Sequence, residues 1–348
     1  MLLNKGRESE ALQLCRGVLE QEPDNFPALY TAGTIFLQRG DSATAEAFLK
    51  HAVNISPDRP EVHNNLGLAF AKQSKLADAI AQFEKALALR AQYPNALLNL
   101  GNALRRTGQA AAAIAAYDRA ILLSPQDADL HYSRGGALED LSHYPDAIAA
   151  YQMAIKLRPA FAQAYNNLGN AFFAAGKLQE ACDAFTAAIH NKPDYAEAHA
   201  NRASARFGLR DLAGALENCD IAISLNPLLA EAYCNRCAVR REMGEIAAAT
   251  ADGIKALEIR PDYLDAQWNL ALIQLLTGDW GTGWAGFELR FRKAIGRIEK
   301  PAPDVPDWAG ESLVDKDLLI YCEQGLGDTI QFIRLALALR HIAKHIVV

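Results

Sequence analysis

The sequence predicts an all-α solenoid of helix pairs, wound into a right-handed superhelix with a 34-residue period and followed by a short β-α-β segment. Three observations predict the solenoid: recurring alanines, recurring glycines and recurring prolines, all at the same 34-residue spacing. Because these series keep a fixed phase over most of the chain, they reflect one structural unit repeated many times.

The alanines predict close contacts made by the second helix of each pair. A larger side chain at either position would force neighbouring helices apart. One series is Ala11, Ala45, Ala79, Ala113, Ala147, Ala181, Ala215 and Ala249. The other is Ala52, Ala86, Ala120, Ala154, Ala188, Ala222 and Ala256. Between them lies a large side chain, expected to fill the space between neighbouring repeats: Leu49, Phe83, Tyr117, Tyr151 and Phe185.

The glycines and prolines predict the first helix and the turn. The glycine series lies where the second helix crosses the first: Gly33, Gly67, Gly101, Gly135 and Gly169, then Ala203, Cys237 and Ala271. The prolines end the second helix: Pro23, Pro57, Pro125, Pro159, Pro193, Pro227 and Pro261, with Ala91 as the exception.

This pattern resembles the tetratricopeptide repeat (TPR) from residue 1 to about residue 297. The phase predicts a partial repeat with only its second helix over 1–25, seven repeats over 26–263, and a degenerate or capping repeat over 264–297. In the degenerate repeat, Trp280, Trp284, Phe287 and Phe291 follow helical spacing, which predicts one aromatic face.

Composition narrows the range of partners. The net charge of -6 does not suggest nucleic acid, and no apolar run is long enough for membrane insertion. Without a signal peptide, we expect a cytoplasmic protein with reduced cysteines. We expect neither metal nor cofactor, because Cys234 and Cys237 form a single CxxC pair. His63, His131 and His199 share a repeat position but lie two repeats apart, too far to converge on a metal ion.

Asparagines occupy the position before the Leu-Gly pair in six of eight repeats: Asn65, Asn99, Asn167, Asn201, Asn235 and Asn269. An amide both donates and accepts, so a regular row of amides on the concave side suits the backbone of an extended peptide. The row resembles the asparagines of the O-linked N-acetylglucosamine transferases, which are TPR proteins. A purely structural use, with the asparagines bonding to neighbouring backbone, is the alternative.

Beyond the repeats the sequence changes character. Residues 298–313 form a proline-rich linker that ends near Trp308, and 314–348 predict the start of a Rossmann-like domain. A strand is expected over 318–323, a helix over 329–341 and a second strand from 346. Since 35 residues cannot cover their own apolar faces, we expect this to be only an incomplete opening of the domain.

The string EQGLGDTIQF in this context resembles bacterial TPR proteins with a glycosyltransferase-like domain of the two-Rossmann (GT-B) type, and the lipopolysaccharide heptosyltransferases. The resemblance implies that Asp328 acts as the base on the acceptor hydroxyl. Gly325, Gly327 and Thr329 would form a loop for ligand phosphate. Alternatively, Asp328 and Gln331 form a capping box without catalytic function. A nucleotide-sugar donor would bind only a complete form of the domain.

Two functions therefore remain open. The main prediction is a substrate-presenting arm of a bacterial TPR glycosyltransferase, with a protein or peptide in its groove. The alternative is a non-enzymatic TPR scaffold. A narrower variant, a chaperone-tail adaptor, would need a cationic clamp, and Arg105, Arg106, Arg202 and Arg236 form no complete one. The sequence does not fix the oligomeric state.

Overall fold

A computed structural model describes residues 7–287, 289, 317–319 and 344–347 of the chain. The chain divides into two compact units, Met1–Leu229 and Ala230–Val348. The described part of the first unit is helical, whereas the second combines helices with one pair of short strands.

The first unit contains thirteen helices among its described residues. They are α1 (Glu8–Gln21), α2 (Phe26–Gln38), α3 (Ser42–Ile55), α4 (Pro60–Lys72), α5 (Leu76–Leu89), α6 (Pro94–Arg106), α7 (Ala110–Leu123), α8 (Ala128–Asp140), α9 (Tyr144–Leu157), α10 (Ala162–Ala174), α11 (Leu178–Asn191), α12 (Ala196–Gly208) and α13 (Leu212–Leu225). From α2 onward, each even-numbered helix packs most extensively on the odd-numbered helix that follows it. This arrangement confirms the predicted solenoid of helix pairs.

The second unit contains α14 (Ala230–Glu242), α15 (Ile246–Ile259), α16 (Leu264–Thr277) and α17 (Trp280–Phe287). Two strands follow, β1 (Asp317–Leu319) and β2 (His345–Val347). They pair in parallel, with Leu318 opposite Ile346. The predicted intervening helix and the loop residues Gly325, Gly327, Asp328 and Thr329 lie outside the described residues, so the complete β-α-β unit stays a prediction.

The two alanine series line the helix contacts, as predicted. From Ala45 and Ala52 onward, every member of both series is fully buried. A buried methyl group is the largest side chain that such close helices accept. The alanine contacts therefore set the spacing between helices along each unit.

The glycine series accommodates the large side chain of its own repeat. A Cβ atom added to Gly67 would lie 2.6 Å from the Phe83 ring, and one added to Gly101 would lie 2.5 Å from the Tyr117 ring. Leu49, Tyr151 and Phe185 approach Gly33, Gly135 and Gly169 in the same way. The prediction that these side chains fill the space between repeats was therefore incomplete, because each also packs inside its own helix pair.

The turn inside most pairs requires a left-handed backbone. Five glycines adopt positive φ there: Gly40, Gly108, Gly176, Gly244 and Gly278. Ser74, Ser142 and Arg210 take the same conformation with φ of 61°, 59° and 66°. Because side chains disfavour this region, these three turns carry local strain that glycine would avoid.

Two members of the aromatic face predicted for the last repeat are in contact: the Trp284 and Phe287 rings meet edge-on with centroids 5.4 Å apart. Phe287 also stacks on Trp268 of α16 with ring centroids 4.8 Å apart. Trp280 and Trp284 are 60% and 53% exposed. Phe291 lies outside the described residues.

Candidate functional site: the asparagine face

The asparagine series lies on the first helix of successive pairs. Asn65 and Asn99 lie on α4 and α6, and Asn167 and Asn201 lie on α10 and α12. All four are half-buried. We call this surface of the first unit the asparagine face.

Each of these four amides bonds to the preceding first helix. In every case the Nδ2 group donates to a residue 35 positions earlier: Asn65 to Tyr30 Oη (3.1 Å), Asn99 to Asn64 Oδ1 (2.9 Å), Asn167 to Tyr132 Oη (3.1 Å) and Asn201 to Asn166 Oδ1 (3.0 Å). The series thus connects neighbouring repeats through side-chain partners, whereas the structural alternative had expected backbone partners.

These bonds form a continuous network at one end of the first unit. Asn99 donates to Asn64, Asn64 donates to Asn65 Oδ1 at 3.3 Å, and Asn65 donates to Tyr30. Burial raises the pKa of the Tyr30 phenol. The phenol therefore stays protonated in the neutral range and can itself donate while it accepts from Asn65.

The same network recurs three repeats later through Asn201, Asn166, Asn167 and Tyr132. Burial raises the pKa of Tyr132 as well. The side chains that receive these bonds, Asn64 and Asn166, are only 4% and 6% exposed. They are out of reach of a ligand, whereas Asn99 and Asn201 keep an Oδ1 acceptor for which the described residues provide no partner.

Sequence reasoning missed the partners in these networks. The partners share one repeat position, immediately before the position that the asparagine series occupies and that Thr31 and Ser133 fill in their repeats. They are Tyr30, Asn64, Tyr132 and Asn166. The signal was present in the sequence, because this position is polar or aromatic wherever a network forms. At Leu98, which precedes Asn99, no such bond can form with Ser133 of the next repeat.

The two asparagines of the second unit differ in burial. Asn269 is 8% exposed, donates to the Cys234 carbonyl oxygen at 3.3 Å and accepts from Arg241 at 3.1 Å. Both ends of its amide are therefore used inside the unit, which makes Asn269 the member least available to a ligand. Asn235 lies half-buried on α14.

An ion pair lies between the two networks, in the repeat where serine replaces asparagine. Arg105 on α6 forms two bonds to Asp140 on α8, at 2.5 and 3.0 Å. The guanidinium passes over Gly136, where an added Cβ atom would lie 2.7 Å from Cζ. Gly136 therefore leaves room for the guanidinium in this position.

The other three arginines considered for a cationic clamp also form hydrogen bonds within the chain. Arg106 donates to the Ala71 carbonyl oxygen at 2.8 Å. Arg202 donates to Asn218 at 2.7 Å, and Arg236 forms a two-bond pair with the buried Asp252. Each of these arginines thus has an internal partner, whereas a clamp for a terminal carboxylate would use its cations to bind the ligand.

The three histidines support the turn rather than a metal site. His63, His131 and His199 each approach the carbonyl oxygen of the proline six residues earlier through Nε2, at 2.9, 3.0 and 3.3 Å. Gln267 donates to Pro261 in the same way. This shared position therefore holds the turn between repeats.

His199 differs from His63 in one contact. The Nδ1 atom of His63 lies 2.8 Å from Gln82 Oε1, whereas Nδ1 of His199 is buried without a partner. Asn218, which replaces glutamine at this repeat position, accepts from Arg202 instead. Burial lowers the pKa of His199, so the imidazole is neutral.

The CxxC pair lies in the interior of the second unit. Cys234 and Cys237 are buried, at 3% and 0% exposed. Burial raises the pKa of Cys237 to about 12, which disfavours the thiolate that metals require. Within the described ranges, no group of three side chains is placed to hold a metal ion.

None of the helices that the structure describes is long and apolar enough to span a bilayer. The residues predicted for catalysis and phosphate binding, Asp328, Gly325, Gly327 and Thr329, lie outside the described ranges. Their assignment stays a prediction.

Family models identify the repeats. A tetratricopeptide repeat model matches residues 64–131, 98–160, 132–195 and 166–230, and a second model of the same description matches residues 2–67. Together they cover more than half of the chain. A curated protein, FlbA of Caulobacter vibrioides, is 40% identical over 68 residues, which is 19% of this chain and 11% of FlbA.

Solved structures share the fold. A chain of the APC/C hetero-tetramer Cut9-Hcn1 matches with a TM-score of 0.59 and 18% identity, covering 78% of this chain and 55% of that one. A tetratricopeptide repeat protein from Parabacteroides merdae matches with a TM-score of 0.58 and 21% identity, covering 72% and 98%. The pilF protein of Pseudomonas aeruginosa matches with a TM-score of 0.53 and 18% identity, covering 60% and 95%.

Proposed function

Because this chain belongs to the tetratricopeptide repeat family, we propose that it is an interaction scaffold that binds an extended polypeptide along the asparagine face. The comparisons favour this function over the glycosyltransferase arm, since they match repeats and repeat-containing structures. The observation that carries the proposal is the fixed orientation of Asn99 and Asn201.

Their orientation supports a particular kind of recognition. The Nδ2 group of each amide is committed to the preceding helix, so the side chain cannot rotate freely. The remaining Oδ1 atom can accept from a backbone N–H of the ligand whatever the ligand's side chains are. A preoriented acceptor loses little conformational entropy when it binds.

The test compares two double variants that both break the bonds Asn99–Asn64 and Asn201–Asn166. In N99A/N201A the Oδ1 acceptors of Asn99 and Asn201 are lost as well. In N64A/N166A those acceptors remain, and the residues removed are buried and also donate to Asn65 and Asn167. Both variants would be compared with the unaltered chain for binding of peptides selected from a random 16-residue display library, with affinities measured by fluorescence anisotropy.

We expect N99A/N201A to bind about tenfold more weakly than N64A/N166A, since two hydrogen bonds to the ligand contribute about 0.5–1.5 kcal/mol each. Thermal unfolding would verify that both variants are folded at the assay temperature, since N64A/N166A also loses the bonds to Asn65 and Asn167. Equal affinities would mean that the asparagines serve only the fold.

The glycosyltransferase arm is a second candidate with narrower support. The parallel pairing of β1 with β2 is the arrangement that a β-α-β opening would have, but parallel strand pairs occur in many unrelated α/β folds. Incubating a form that carries a complete transferase domain with radiolabelled nucleotide sugars and the selected peptides would test it. Transfer of label that is lost in D328N would support the assignment, and unlabelled peptide would count against it.

A further inference from the structure

The helix α1 carries apolar side chains that the first unit leaves exposed. Its phase in the repeat makes α1 a second helix, and the described residues contain no first helix to pair with it. Leu14 and Val18 are 61% and 40% exposed, and they lie on one side of α1 because they are four residues apart. We call this side the α1 face. It carries Arg7, Glu10, Leu14, Gly17, Val18 and Gln21.

In the complete repeats, the positions equivalent to Leu14 and Val18 are packed against other helices. Val18 corresponds to the second alanine series, which is fully buried from Ala52 onward. Leu14 corresponds to Phe48, which stacks on Phe36 of its own first helix with ring centroids 5.6 Å apart. The α1 face is therefore the surface on which a first helix packs in every other pair.

Two further features of the α1 face favour close contact with a helix. A Cβ atom added to Gly17 would have nothing within 4 Å, so another helix can approach the backbone closely there. Arg7 and Glu10 are the charged residues of the face, and they form an ion pair with each other. The charges that an incoming helix would meet thus cancel.

The α1 face is also complementary to itself. Arg7 and Gln21 lie seven residues to either side of Leu14, and Glu10 and Val18 lie four residues to either side. In an antiparallel pair of α1 helices centred on Leu14, the two leucines would meet and no like charges would lie opposite each other. Antiparallel packing is also the direction of two helices joined by a short turn, as in each pair of this chain.

We propose that the α1 faces of two copies of this chain pack on each other, antiparallel and centred on Leu14, and so form a twofold dimer. Each copy supplies the helix that the other lacks. Such a contact closes after two copies, which is the commonest symmetry of homo-oligomers. Because one helix pair is smaller than a standard protein interface, the association should be weak. The inference does not depend on the proposed peptide binding.

Sedimentation equilibrium of the full chain tests the association. Between about 10 and 500 µM, the average mass should rise from the 37.9 kDa of one chain towards twice that value. In L14Q/V18Q the dissociation constant should increase at least about tenfold, since apolar area is lost from both copies. The matched control is L89Q/L122Q, which replaces leucines that are 45% and 83% exposed on α5 and α7. It should associate like the unaltered chain.

Cysteine cross-linking tests the geometry. In the proposed dimer L14C brings two thiols together at the twofold axis, whereas the thiols of Q21C lie roughly 21 Å apart along the helices. A disulfide needs Cα atoms within about 7 Å. Mild oxidation at a concentration that favours the dimer should therefore cross-link L14C, while Q21C should not exceed the background of the unaltered chain. A parallel pair of helices would cross-link both variants.

Three outcomes would overturn the proposal. The first is an unaltered chain that stays monomeric over the whole concentration range, which would leave the α1 face to a helix of another protein. The second is a dimer that persists in folded L14Q/V18Q, and the third is L14C that cross-links no more than Q21C. If L14Q/V18Q does not fold, as judged by circular dichroism, the comparison of L14C with Q21C decides.

Discussion

Several glycines in this chain leave room for the side chain of another residue. Gly101 lies directly under the Tyr117 ring, and Gly136 lies under the Arg105 guanidinium. The Gly101 contact was predictable from the sequence, because the glycine series recurs every 34 residues. The Gly136 contact was not, because Gly136 belongs to no series and its neighbour Arg105 comes from another repeat.

Substitution of Gly101 by alanine should destabilise the protein by about 1–3 kcal/mol, since the new methyl group would overlap the Tyr117 ring. Chemical denaturation would measure the change. The control is Gly17→Ala in α1, where nothing lies within 4 Å of the added Cβ atom. Alanine there should stabilise the helix by about 0.5–1 kcal/mol. Equal effects at the two positions would contradict the packing account.

His199 should make stability depend on pH. Burial lowers its folded-state pKa below the unfolded value of about 6.5, so its contribution is present above that pH and lost as the pH falls. His199→Gln should copy Gln267, which donates to the equivalent proline carbonyl. The melting temperature of the variant should therefore fall less between pH 7.5 and pH 5.5. A slope identical to that of the unaltered chain would exclude His199 as the titrating group.

At the scale of elements, the turns between helices are fixed by side chains from a neighbouring pair. Glu46 on α3 accepts from Gln73 at 2.8 Å and from Lys75 at 2.7 Å, and these two residues flank the turn between α4 and α5. The helices themselves were predictable from periodicity. The bonds from Gln73 and Lys75 to Glu46 were not predictable, because they join residues 27 and 29 positions apart and do not recur from repeat to repeat.

The Glu46 contacts predict a loss of stability in acid. Burial alone would raise the pKa of this carboxyl, but hydrogen bonds from Lys50, Lys75 and Gln73 outweigh it and lower the pKa to about 2. The contribution is therefore complete above the unfolded value of about 4.5 and is lost as the pH falls towards 2. Denaturation at pH 7, 4 and 3 would show a smaller acid loss in Glu46→Gln. A parallel loss in both proteins would contradict this assignment.

At the scale of the molecule, the first unit is a linear array in which each helix pair contacts only its neighbours. Stability in such an array is a sum over repeats and their interfaces. The sequence established this architecture through four periodic series. It could not establish how the asparagines are used, because one residue type suits both a bond between repeats and a bond to a ligand.

Local damage in this array should remain local. Tyr117→Ala removes a fully buried ring and should cost about 3–5 kcal/mol. Hydrogen exchange measured by mass spectrometry should show lost protection in α6, α7 and α8, with α11 to α13 much less affected. Leu122→Ala, at a side chain that is 83% exposed, is the control and should change neither region. Uniform loss of protection across the first unit would show that it unfolds as one cooperative block.

The strained turns have a practical consequence for engineering. At the left-handed position of successive turns, glycine alternates with a residue that carries a side chain. The glycines are Gly40, Gly108 and Gly176, and the other residues are Ser74, Ser142 and Arg210. The histidines that hold the proline turns follow the same two-repeat spacing. An insertion or deletion of 68 residues rather than 34 would therefore keep the alternation of glycine and side-chain-bearing turns in a lengthened or shortened array.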